Sequence, residues 1–366
     1  MKRLQKNTIT ENVDYKSIFL YYFKFLPFIL VFFLNGCAQI SYYYQAVEGH
    51  LDITQRIKLL DEVIALPETS PSLRQQLQQV QQIRQFAIET LQLPDNESYT
   101  QYVDLQRKFV VWNVYAAPRF ALIAKQWCFP IVGCLSYRGY FSSEPAFSEA
   151  KELKKEGFDV YVAGIRAYST LGWFADPLLN TMLSKETWQL AALIFHEKAH
   201  QLLYVQDDSI FNESFASAAE EIGVQLWLKQ QGTSKHFEQF LISKQRNQQM
   251  IFLVLNTKQK LEELYKQKIS KIEMLKLKNT LLEELQKDYK KLKETEWKNY
   301  QGYDHWFAEV NNAKLLSVAM YEEYVPAFKK LFEENQRDFK KFYDQVRLLA
   351  ALPKNERDHK LNELNQ

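Results

Sequence analysis

The stretch SKETWQLAALIFHEKAHQLLYVQDDSIFNESFA, residues 184–216, decides how the rest of the chain is read. Ser184 suits a helix N-cap, and the residues from there to about Val205 form helix readily, with no Pro or Gly among them. That helix carries His196-Glu197-Lys198-Ala199-His200. Side chains four apart on a helix lie one above the other. His196 and His200 therefore aim two imidazoles at one point, the HExxH spacing that holds a Zn²⁺ ion. Glu197, beside the first histidine, reaches a metal-activated water and not the metal, so it is the expected general base. Lys198 points away from the metal. The plainer alternative is an amphipathic helix whose two surface histidines pair with acids.

A catalytic zinc site takes three protein donors and keeps a fourth position for water. Gln206-Asp207-Asp208-Ser209 is a turn followed by a helix start, and Phe211-Asn212-Glu213-Ser214-Phe215-Ala216 comes next. Glu213 falls in the first turns of a helix returning against the first, and is the expected third ligand. Glu220 and Glu221 are the alternatives. Glu220, seven residues on and so on the same face, suits a partner that orients a histidine better than a ligand.

Outward from this stretch the texture differs on the two sides. Residues 38–66 and 72–92 read as helices, with a short helix over 99–107. Phe109–Tyr115 is β-branched and aromatic, and Pro118, Pro130, Gly133 and Gly139 punctuate the residues after it, so the region is strand and turn sequence. A helix over 146–156 stops at Gly157, Asp159–Gly164 alternates as a strand does, and Ala167–Phe174 is its expected partner. From Leu178 to Val325 there is no proline, and apolar residues in 257–298 recur at steps of three and four. That segment is a long arm or a two-helix hairpin, a surface for packing or for a protein partner. Helices come next near 305–322 and 326–350, and Pro353 ends the pattern. The fold class is α+β, mostly helical: a metal-site helix beside a small antiparallel sheet, plus the hairpin or arm. The organisation expected is 1–36 as a signal peptide and 37–366 as one domain. Within it come N-terminal helices (38–108), a sheet region (109–175), metal-site helices (178–256), the arm (257–298) and C-terminal helices (299–352).

The 366 residues are 46% hydrophobic and 25% charged, a globular composition with room for a large core. The net charge of +2 comes from residues 1–36, which hold five basic against two acidic side chains. The remainder is near neutral, which excludes a basic nucleic-acid footprint. With six histidines in all, zinc storage or transport is disfavoured. The apolar run Phe25–Leu34 has the length of a signal-peptide core and is short for a membrane span. It ends in Leu34-Asn35-Gly36-Cys37, which resembles the lipobox of bacterial lipoproteins, although Asn35 replaces the usual small residue. Cys37 is then the lipidation site, tying the protein to a membrane through its N-terminal lipid. Ala38, not Asp, is the next residue, which points to the outer membrane facing the periplasm. An uncleaved anchor from Ile18 to Leu34 is the other reading. With Cys37 lipidated, Cys128 and Cys134 remain as a pair in an oxidising compartment, a disulfide or two buried thiols.

His196–His200 followed by Asn212-Glu213-Ser214-Phe215-Ala216 is similar to the HExxH…NEGFA pattern of zinc aminopeptidases of the thermolysin-like, or gluzincin, clan. Only twelve residues separate His200 from Glu213, fewer than in the large aminopeptidases of that clan. The chain more closely resembles a family of bacterial predicted aminopeptidases that are exported lipoproteins. The stretches that carry this are VVWNVYAAPRF (110–120), WCFPIVGCLSYRGYF (127–141), GWFADPLLNTML (172–183), IFHEKAHQLLYV (194–205), FNESFA (211–216) and NNAKL (311–315). Lys198 departs from the apolar residue usual at its position. The resemblance implies a zincin-like metallopeptidase with one Zn²⁺ and a peptide substrate. It also implies a Tyr or His that stabilises the oxyanion, for which Tyr303, His305, Tyr321 and Tyr168 stand open. Substrate is expected as an added strand near Ala163–Trp173, with Asn311 and Asn312 lining the cleft or capping a helix. The competing class is a lipid-anchored scaffold with a structural or inactive zinc site.

Overall fold

The computed structural model describes residues 41–129, 133–167, 169–170, 174–184, 186–232 and 234–365. Cys37, the apolar run before it and Tyr168 lie outside them. By contacts the chain divides into 1–52 and 53–366. Helix α1 covers 41–55, so the described part of the first unit is helical.

The second unit opens with β1 (Lys58–Leu59), α2 (Leu60–Ala65) and α3 (Pro71–Glu89). The single helix expected over 38–66 is thus two helices with a strand residue pair between them. Ser70 caps α3 and Pro71 starts it, a position where the missing N–H costs nothing. β2 (Gln101–Val103) stands where a short helix was expected. Tyr102 and Val103 are buried strand formers, and β2 joins β1 to β8 (Leu178–Leu179) in a small sheet.

A second sheet is antiparallel and ordered β6 (Arg138–Tyr140), β3 (Val111–Pro118), β7 (Phe158–Ile165). β3 pairs with β7 along its whole length, from Val111↔Ile165 to Pro118↔Phe158. β7 thus has β3, distant in sequence, as a partner along its whole length; of 167–174, its expected partner, only 167, 169–170 and 174 lie among the described residues, and none of these is strand. α4 (Ser143–Lys155) covers one face, where Trp112 meets Phe147. The other face, with Tyr115 and Ala117, packs on α10 (Asn312–Glu322). Between β3 and β6, β4 (Trp127–Phe129) and β5 (Gly133–Leu135) make a hairpin joined by a Cys128–Cys134 disulfide.

α5 (Thr187–Leu202) and α6 (Ser209–Gln231) pack against each other, as a six-residue connection requires of neighbours. α5 starts and stops inside the expected bounds: Ser184 lies before it and bonds Gln189 instead of capping it. Asp208 caps α6 through Phe211 N–H. Gly223 lets the two approach, since a Cβ there would meet the Phe195 ring at 2.7 Å. Their apolar faces join those of α2, α3 and the C-terminal helices in the main core.

α7 (Ser234–Tyr265) and α8 (Lys271–Thr295) form a hairpin, so the arm begins well before residue 257. It has its own core with Trp297, Phe307 and Leu315. α9 (Asp304–Ala308) and α10 replace one expected helix because Asn311 is spent as the α10 cap. α11 (Val325–Glu334) and α12 (Phe339–Ala350) are split where Gln336 and Arg337 take left-handed backbone. Order does not stop at Pro353, which precedes α13 (Lys354–Leu364); its Arg357 and Leu361 are buried. No described helix is long and apolar enough to cross a membrane.

Candidate metal centre

α5 presents His196 and His200, and α6 presents Glu213 from its second turn. All three are at least nine-tenths buried. His196 Nε2 lies 3.2 Å from His200 Nε2 and 3.3 Å from Glu213 Oε2, and His200 Nε2 lies 3.4 Å from the same oxygen. Three donors thus form a nearly equilateral triangle. An ion bound tetrahedrally at about 2.0–2.1 Å has donors about 3.3 Å apart, the edge of that tetrahedron. The donor set fits a single divalent ion on size alone.

Its protonation points the same way. His196 Nδ1 lies 3.1 Å from Glu220 Oε2, so that nitrogen carries the proton given to the carboxylate. Nε2 of a neutral His196 is then a lone pair, aimed at another imidazole nitrogen and a carboxylate oxygen. Such a cluster needs a cation at its centre, either a metal or an added proton. Without a metal, burial opposes charge on His196, but hydrogen bonds to Glu213 and Glu220 outweigh it and raise its pKa well above the ordinary value. Burial also pushes the Glu213 carboxyl up, and the two histidines reverse this and hold it at about 2. Glu220 is thus brought into hydrogen-bond contact with His196, while Glu221 instead pairs with Lys329 and Lys244.

Glu197 sits one residue past His196, where burial raises its pKa against the pull of His196 and His200. Lys198 is fully buried on the far side of α5 and donates to Asn96 Oδ1 at 3.2 Å. Burial brings its pKa down to about 8. Next to it, Gln201 bonds Asn96, Ser98 and Asp176, so a polar seam braces the back of the helix.

Tyrosines surround the donors. The Tyr321 ring is centred 6.2 Å from His196, and its phenol is coupled to Glu213 and to Tyr115. Tyr137 feels both Glu213 and Glu197, and Tyr204 feels Glu213. Tyr99, on the base side, is buried and feels Glu197 and Asp176. Burial pushes Tyr115 and Tyr204 up to about 12 and raises Tyr99, Tyr137 and Tyr321 well above the ordinary phenol value, so all are neutral O–H donors near neutral pH. Of the oxyanion candidates, Tyr321 is therefore at the site. Tyr303 instead packs on Trp297 and bonds Asn247, and His305 lies on α9. Tyr115 and Tyr137 escaped notice by spacing, although both fall in stretches that carried the family resemblance.

Asn311 and Asn312 do not line a cleft. Asn311 caps α10 and bonds Val160 O; Asn312, fully buried, binds the carbonyls of Pro118, Arg119 and Ala121. Its N–H meets Asp159, which also takes the Lys278 ammonium from α8. Hairpin, sheet and α10 are clamped at this joint, and α10 carries Tyr321.

A family model described as "Putative aminopeptidase" matches residues 41–361. The chain belongs to that aminopeptidase family. The match spans all the donors, the tyrosines around them and the helical hairpin. No curated protein matches the chain, and no solved structure does.

Proposed function

We propose that this member of the aminopeptidase family is a zincin-like zinc peptidase. The observation that carries the reading is the triangle of His196, His200 and Glu213 with the Glu197 carboxylate one residue from the first donor. A structural zinc site needs donors but no base, and a scaffold needs neither.

His196, His200 and Glu213 would hold the ion, and Glu220 would fix the His196 tautomer. Bound zinc would supply a Lewis acid for the scissile carbonyl and acidify a water. Glu197, its basicity raised by burial, accepts a proton from the attacking water and later passes it to the leaving amide nitrogen. Tyr321 and Tyr137 offer neutral phenol donors near Glu213, suited to charge developing on the carbonyl oxygen. The aminopeptidase family to which the chain belongs implies a substrate with a free amino terminus.

Digestion of a peptide library, read by mass spectrometry, tests the reading. Loss of single N-terminal residues in a zinc-dependent manner is expected. Internal cuts would overturn the exopeptidase part alone, and no cleavage would overturn the peptidase.

A further inference from the structure

The β4–β5 hairpin has no part in the chemistry above, yet its end rests on the connection between the two donor helices. Gly133 has left-handed backbone, φ +75°, and a Cβ on it would stand 2.5 Å from Asp207 Oδ1 and 2.6 Å from Gln206 Cγ. Cys134 N–H donates to that Asp207 oxygen at 2.5 Å. Asp207 is itself left-handed, φ 63°. Hairpin backbone therefore lies directly on the connecting turn, with no room for a side chain.

The connection, 203–208, is held at its inner side by other groups. Asn212 bonds both N–H and carbonyl of Val205, and Asp208 is locked to Arg357. Gln206 and Asp207 face the hairpin. The two partners also each carry a tyrosine of the site: Tyr204 belongs to the connection, and Tyr137 lies two residues past β5. Both phenols feel Glu213. β4 and β5 are three residues each, too short to hold a hairpin by themselves, and the disulfide closes them.

We propose that the disulfide-closed hairpin is a clip on the donor-helix connection, with Cys134 and Asp207 as positioning residues that set Tyr137 and Tyr204 beside the metal donors. Reduction opens the clip: a dithiol gives two electrons and two protons to the Cys128–Cys134 bond, yielding two thiols, and itself closes to a disulfide. The inference rests on the zinc peptidase reading only for its kinetic arm.

Hydrogen exchange on metal-free protein tests it without any activity. Dithiothreitol is expected to speed exchange of amides in 203–208 and 133–138 by roughly tenfold or more while α3 is unchanged. Asp207→Gly, which keeps the left-handed backbone and loses the acceptor, should do the same with the disulfide intact; Asp207→Asn should not. In zinc-loaded protein, kcat should fall several-fold with little change in KM, and return on reoxidation. Unchanged exchange after verified thiol formation overturns the clip. So does equal acceleration throughout, α3 included, which would make the disulfide a general staple. If oxidised, zinc-loaded protein cleaves no peptide, the peptidase reading fails while the exchange result still decides the clip.

Discussion

His196 Nδ1 and Glu220 Oε2 lie 3.1 Å apart, and this contact decides what the other side of the ring can do. By holding the proton on Nδ1, Glu220 leaves Nε2 free to donate its lone pair into the triangle with His200 and Glu213. His200 has no such help: its Nδ1 is buried without a hydrogen-bond partner among the described residues. One orienting carboxylate thus serves the whole centre. Glu220→Ala should weaken zinc binding by about 10- to 100-fold without abolishing it. Competition against a chelating dye would show this; unchanged affinity would remove Glu220 from the site.

Glu197 is not one of the three donors, so its role separates from metal binding. Glu197→Gln should keep one zinc per chain and lose at least about 100-fold in the rate of peptide hydrolysis. Equal rates for the variant and the parent would rule out the general-base role.

The N-cap of the helix that carries Glu213 is held from the far end of the chain. Asp208 is 2% exposed and Arg357 4%, and the guanidinium reaches its carboxylate at 2.7 and 3.0 Å. Arg357 also binds the carbonyls of Ala350 and Leu352. Replacing it strands a buried carboxylate that Lys354, half exposed, serves only partly. Arg357→Met should lower stability by about 3 kcal/mol in urea titration. A loss under about 0.5 kcal/mol would show the pair to be dispensable.

Glu322, next to Tyr321, gives the fold a pH dependence. Burial first, then the charges of Glu221 and Glu220, push its carboxyl up from 4.5 to about 7. A raised acid is harder to ionise in the fold than in the unfolded chain. Its contribution is therefore fully present below about pH 4.5, is lost as pH rises to about 7, and changes no further above that. Glu322→Gln should be more stable than the parent by on the order of 2–3 kcal/mol above pH 7, and the gap should close near pH 4. Parallel stability curves would contradict this.

The donor residues are legible in the sequence because their signal is local. His196 and His200 are one helical turn apart, and Asp208 announces the helix that brings Glu213. Features that depend on distant partners are not legible in this way. The pairing of β3 with β7 brings together residues 40 to 54 positions apart, and nothing local to 159–164 names so distant a partner. Tyr115 and Tyr137 reach the site through that sheet and the hairpin beside it, so no spacing within 109–141 marks them. Asn312 reads equally as a cleft residue or a brace until Pro118, Asp159 and Lys278 are seen around it. Helix breaks at Asn311 and at Gln336–Arg337 are backbone events of one or two residues inside otherwise continuous apolar patterns.

All of the proposed chemistry turns on one ion held by His196, His200 and Glu213. Zinc content of purified protein, measured by mass spectrometry beside a His200→Ala variant, tests this most directly. One zinc per chain in the parent and none at stoichiometric level in the variant is the result expected; a variant that keeps its full complement would contradict it.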